Sequence, residues 1–110
     1  MSFKLTQSPR FKTSVDIWQL NEQGVAVKST LKAIFKRFKT SEIEEHRNNG
    51  GTDRDLVRDK LVGWSDLVAD DGTEVEFNDE NKEILLEVPE AVSALALALA
   101  RSASVQREKN

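Results

Sequence analysis

Histidine occurs once in these 110 residues, as His46, between Glu44, Glu45 and Arg47. An imidazole beside carboxylates is the raw material of acid–base catalysis or of a zinc site. Zinc, however, takes several nitrogen or sulfur ligands, and the chain has no cysteine and no second histidine. The segment soon runs into Asn48-Asn49-Gly50-Gly51, so His46 reads as a solvated surface residue. A second cluster, Asp70-Asp71-Gly72-Thr73-Glu74, offers hard oxygen donors. It lacks the alternating donors and closing Glu of a calcium loop, and reads as a solvated turn. Gly50-Gly51 lacks both the earlier glycine and the following Lys-Ser/Thr of a phosphate loop. Carboxylates abound, but nothing in the sequence marks one pair as buried or poised. The expectation is a chain that is not an enzyme, with no catalytic, metal-binding or cofactor-binding residues and no cofactor.

Two other stretches suggest contact rather than catalysis. Lys28, Lys32, Lys36, Arg37 and Lys39 surround Phe35 and Phe38, as a stacking platform for nucleic acid would require. Against that, the charge is divided along the chain. Residues 1–39 carry eight Lys/Arg and two Asp/Glu, residues 40–90 five and sixteen, and residues 91–110 three and one. The acidic middle would repel phosphates, so a nucleic-acid-binding regulator using segment 28–39 is the alternative reading, not the first. Such a bipolar chain attracts itself, within the fold or between copies. The other stretch is Ala91-Val92-Ser93-Ala94-Leu95-Ala96-Leu97-Ala98-Leu99-Ala100. On a helix Val92, Leu95 and Leu99 share a face, while Leu97 points well away from it. A helix apolar on nearly every side must bury more than one. It is a core helix, an inert alanine-rich surface, or a contact surface for a second subunit or another protein. Val92, Leu95, Leu97 and Leu99 are the candidate contact residues.

The elements that position these residues follow from periodicity and turn chemistry. Val15, Ile17 and Leu20, with Trp18 among them, then Asn21-Glu22-Gln23-Gly24, then Val25-Ala26-Val27, predict a β-hairpin. Lys28 to Phe38 fits either period, and a strand is favoured because a fresh helix start follows at once. That start is Ser41-Glu42-Ile43-Glu44, a capping box. Thr52 or Asp53 caps a second helix, on which Val57, Leu61 and Trp64 form one stripe toward the core. Asp70-Asp71-Gly72 is a turn, and Thr73 to Phe77 alternates as a short strand. Asn78 caps a third helix with Ile84, Leu85 and Val88 on one face, and Pro89 opens a last helix to about Ser102. Val57, Leu61, Trp64 and Phe77 are the expected structural core, with Trp64 and Phe77 closing the corner between two halves of the domain.

Length predicts one domain. With 38% hydrophobic and 32% charged residues, it is a folded domain with a heavily solvated surface. The absence of cysteine excludes disulfides and agrees with a reducing compartment. The first ten residues hold no apolar signal segment, and Ala94–Ala100 is too short to span a bilayer, so no membrane role is expected. The fold class is α+β: a small single domain with an N-terminal antiparallel hairpin or sheet, followed by three to four helices. Residues 1–12 read as an N-terminal extension, 13–100 as the domain and 101–110 as a flexible tail.

The order of these features resembles the phage tail assembly chaperones of long-tailed phages over roughly residues 13–100. A helix ending in Leu61-Val62-Gly63-Trp64 leads to Asp70-Asp71-Gly72, a strand ending in Phe77, an Asn78-capped helix with Leu85-Leu86 and Pro89, and a terminal helix. Upstream, Phe35-Lys36-Arg37-Phe38 before Thr40-Ser41-Glu42-Ile43-Glu44-Glu45 looks like that family's strand-to-helix passage. The resemblance implies a non-enzymatic role in the host bacterial cytoplasm. Such a protein binds the tape measure protein, helps recruit tail tube protein, self-associates and is absent from the mature virion. It further implies a longer second form made by ribosomal frameshifting, and Glu108-Lys109-Asn110 can be encoded by a slippery heptamer.

Overall fold

The computed structural model describes residues 1–103; residues 104–110, most of the expected tail and the Glu108-Lys109-Asn110 tripeptide with it, lie outside them. Two 11-residue strands, β1 (Arg10–Leu20) and β2 (Ala26–Lys36), form an antiparallel hairpin. Helices α1 (Thr40–Asn48) and α2 (Asp53–Lys60) follow, then a short strand β3 (Leu61–Ser65), then α3 (Asp79–Leu86) and α4 (Pro89–Ser102). The sheet order is β1-β2-β3, all antiparallel. The architecture is the expected α+β domain, with β1 beginning inside the segment read as an extension.

The hairpin is closed by its turn. Asn21 Oδ1 accepts from the backbone N–H of Gln23 and of Val25, each at 2.9 Å. Gly24 takes a φ of +77°, which a side chain would disfavour. Segment 28–38 resolves as strand through Lys36. Leu31, Ala33 and Phe35 alternate inward and are buried, with Val15 and Ile17 beside them.

Four expectations need correction. The stripe Val57, Leu61, Trp64 is not on one helix: α2 stops at Lys60, and Leu61 and Trp64 belong to β3. Val62, Gly63 and Trp64 are poor helix formers, and β2 offers them an edge to pair with. All three residues still reach the core, because a helix end and a strand each turn them the same way. Thr73–Phe77 forms no strand; a single bridge, Val68 to Glu74, closes the Asp70-Asp71-Gly72 turn. The capping box is absent: α1 begins at Thr40 with Lys39 in the cap position and no side-chain cap. Glu42 instead reaches Lys60. The other caps form as expected, with Thr52 Oγ1 accepting from Asp55 N and Asn78 Oδ1 from Asn81 N. The expected face of Ile84, Leu85 and Val88 does not form either: in α3, Leu85 and Leu86 face inward, Ile84 is exposed, and Val88 lies beyond the helix as the cap of α4.

The corner after β3 is closed by aromatics. The Trp64 and Phe77 rings meet edge to face at 4.7 Å, and Trp64 Nε1–H donates to the Val75 carbonyl at 2.8 Å. The polar end of the indole is thus satisfied while its rings join the core. Lys60, 4% exposed, is held by Glu42 and Asp59 and lies over the Phe38 ring. Burial alone would lower its pKa, but the hydrogen bonds that its ammonium donates to Glu42 and Asp59 prevail and raise it. The hydrogen bond from Lys60 holds both carboxyls below their ordinary range.

Trp64→Ala should cost about 3–5 kcal/mol in a denaturant titration, as truncation of a packed aromatic does; a loss below about 1 kcal/mol would contradict the corner. Because Glu42 and Asp59 titrate low in the folded state, their stabilisation holds above the ordinary carboxylate range and is lost as pH falls through the folded values. Both carboxylates are substantially exposed, so each contributes under about 1 kcal/mol. Lys60→Met should flatten the acid limb of stability against pH; an unchanged limb would contradict the assignment.

Candidate protein-contact surface

Pro89 opens α4 and the alanine–leucine run carries it to Ser102. The helix packs against β1, α2 and α3. Its buried line is Ala91, Leu95 and Leu99, with Val92 half-buried beside it. Leu95 and Leu99 therefore leave the set of candidate contact residues and join the core. Leu97 is 50% exposed and remains the outward leucine, as its angle on the helix requires. Of the four expected core residues, Val57 and Leu61 are fully buried, Trp64 is 9% exposed and Phe77 is half-buried.

Leu97 stands over the free edge of β1. Between that edge and α4 runs a groove of about 750 Å³, lined among others by Phe11, Thr13, Val15, Ala94, Leu97 and Ala98. A shallower depression continues from Leu97 and Ala94 to Pro89 and Trp18. Trp18 leads to the tip of the hairpin, which sequence reasoning passed over. Every residue from Trp18 to Thr30 is exposed, including Leu20, Val25 and Val27. The signal was available: apolar residues persist on both sides of the Asn21–Gly24 turn, more than a solvated loop needs. Gln19 Nε2 donates to Glu90 at 2.8 Å and ties the hairpin to the start of α4.

The charged clusters are occupied by the fold. Phe35 is fully buried and Phe38 half-buried, so Phe35 is not available to the stacking platform supposed for segment 28–39. Lys36 pairs with Asp59 at 3.1 Å and Lys32 approaches Asp66 at 3.7 Å. The basic N-terminal third is thus partly neutralised by the acidic middle. Arg58 grips Glu83 with two hydrogen bonds, at 2.9 and 2.8 Å, and joins α2 to α3; these bonds hold the Glu83 carboxyl below its usual range. Asp71 accepts from Thr73 N and Thr73 Oγ1 within its own turn, which lowers its pKa. His46 is half-buried rather than solvated. Its Nε2 lies 2.9 Å from the Thr52 carbonyl, and its ring covers Gly51, where a Cβ would collide with it. Among the described residues no three His, Asp or Glu side chains gather as a metal site would need, and no helix is long and apolar enough to cross a membrane.

A family model described as phage tail assembly chaperone matches residues 1–110, the whole chain. No curated protein and no solved structure matches it.

Leu97→Glu should leave the circular dichroism spectrum unchanged and move stability by no more than about 0.5 kcal/mol. Leu95→Glu, which buries an unpaired charge, should abolish cooperative folding. Equal effects from the two would contradict the division of α4 into an inner and an outer leucine.

Proposed function

The chain belongs to the phage tail assembly chaperone family, and from that premise we propose that it works without chemistry, as a carrier of the tape measure protein. It covers apolar stretches of that long client in the host bacterial cytoplasm, helps recruit tail tube subunits, associates with further copies of itself, and leaves before the virion is complete. The observation that carries this reading is the apolar surface left outside a satisfied core. On the hairpin tip Trp18 is 57% and Leu20 74% exposed on one face of the ribbon, and Val25 and Val27 are exposed on the other. An apolar patch rimmed by polar residues marks a protein-contact site in a folded domain. A helical client docks by laying its apolar face on such a surface. The tip serves as client surface because its exposed side chains can be covered without disturbing the core beneath Val15 and Leu31. Leu97, over the β1 edge, lies with the self-association surface.

Co-expression tests this. The tape measure protein should be soluble and co-purify with the chain. A Trp18→Ser/Leu20→Ser variant with an unchanged circular dichroism spectrum should lose most of that yield. A tape measure protein equally soluble without the chain would overturn the function; full yield with the double variant would move the client off the hairpin tip.

A further inference from the structure

Strand β1 is an 11-residue edge, and its pairing with β2 fixes which backbone groups it leaves free. The ladder runs without a shift from Arg10↔Lys36 to Leu20↔Ala26. At one end the Pro9 carbonyl accepts from Arg37 N, and at the other Asn21 N donates to the Val25 carbonyl, each at 2.9 Å. Backbone groups alternate in direction along an antiparallel strand. Phe11, Thr13, Val15, Ile17 and Gln19 therefore turn theirs to β2. Arg10, Lys12, Ser14, Asp16, Trp18 and Leu20 turn theirs outward, to no other strand among the described residues. A long uncovered edge is a template for another strand.

The geometry points to a second copy of this chain as the occupant, its β1 pairing antiparallel with this one about a two-fold axis through Ser14. Self-pairing fixes every cross-strand neighbour, and the registers can be compared. With the axis at Ser14, Lys12 faces the second copy's Asp16 and Arg10 faces its Trp18. Both pairs occur twice, one an ion pair and the other a cation over an aromatic ring. On the groove side, Phe11 meets the other copy's Ile17 and Thr13 its Val15. With the axis at residue 13, Arg10 faces Asp16 but Lys12 faces only Ser14, and with the axis at residue 15, Lys12 faces Trp18 but Asp16 faces only Ser14, so each keeps one favourable pairing where the Ser14 register keeps two. An axis at residue 12 or 16 places Lys12 against Lys12 or Asp16 against Asp16, which is repulsive. The groove between the β1 edge and α4, with Leu97 and Ala98 on its far wall, receives the inward side chains of the incoming strand. The product is a continuous six-stranded sheet. Its hairpin tips project at opposite ends, since pairing ends near Trp18 and leaves Leu20, Val25 and Val27 uncovered. The inference rests on the self-association in the reading above and gives it a surface and a register.

Because the chain has no cysteine, single introduced thiols report the register directly. Ser14→Cys places the two thiols' Cα atoms about 5.5 Å apart, within disulfide reach. Lys12→Cys places them four residues apart along the strands, over about 13 Å, which is out of reach. Mild oxidation should convert Ser14→Cys to a covalent dimer and leave Lys12→Cys monomeric on a denaturing gel. In sedimentation velocity, Lys12→Asp and Asp16→Lys should each weaken the dimer about tenfold or more. The double reversal, which restores every pair with its sign exchanged, should return to within about threefold of the parent. A parent chain that stays monomeric at high micromolar concentration overturns both self-association and this interface. A dimer in which Lys12→Cys cross-links as well as Ser14→Cys, or in which the double reversal stays as weak as the single variants, overturns the interface alone. Neither result bears on co-purification of the tape measure protein.

Discussion

Val15, Leu31, Ala33 and Phe35 line the inner face of the hairpin's base, and that face has to be covered for two paired strands to hold. α4 supplies the cover with Ala91, Leu95 and Leu99. The alanine at the first of these positions keeps the helix close, and the leucines join the same buried cluster as Phe35. Since α4 crosses β1 and also packs on α2 and α3, its seat fixes where the acidic helices lie. β3 then completes the sheet on the far side of β2, pairing only from Lys32 to Phe35. One face and one edge of the sheet are thereby settled, and among the described residues β1 keeps the long open edge.

The division of charge along the chain becomes a division of labour within the fold. The acids of α2 and the β3 corner, Asp59 and Asp66, meet lysines of β2, while Arg58 binds α3 through Glu83. Lys60 is the deepest of these groups, and it is tolerated in the core because two carboxylates reach it from the rim. Exposed pairs of this kind hold elements in register more than they stabilise them.

Much of this was legible in the sequence because the signals were local. Asn21 to Gly24, Thr52, Asn78 and Pro89 each mark a boundary through chemistry confined to a few residues. The leucine at 97 was identifiable as outward from helical angle alone. What could not be read depended on partners distant in sequence. Leu61-Val62-Gly63-Trp64 looks like the end of a helix until β2 is there to pair with it, and Val57 keeps the helical stripe plausible up to that point. Glu42 and Glu44 suggest a cap, but a lysine eighteen residues away captures Glu42. The contact role assigned to Leu95 and Leu99 failed likewise, since which face of an all-apolar helix is inward is decided by the sheet. The hairpin tip was missed because alternation reads the same in a strand lying on a core and in one extending past it.

That extension creates a gradient within a single pair of strands. From Val15 to Ile17 the ladder is braced by packed side chains, while from Trp18 through the turn it is braced by little more than its own hydrogen bonds and the Gln19–Glu90 tether. Of the β1 amide hydrogens that bond to β2, Gln19 is therefore expected to exchange with solvent through local opening, and Val15 and Ile17 only when the whole domain unfolds. Were the tip the client surface proposed above, a segment that opens locally could adapt its shape to many unlike segments while the sheet base stays unchanged. The entropy lost on fixing it against any one of them keeps each such encounter reversible.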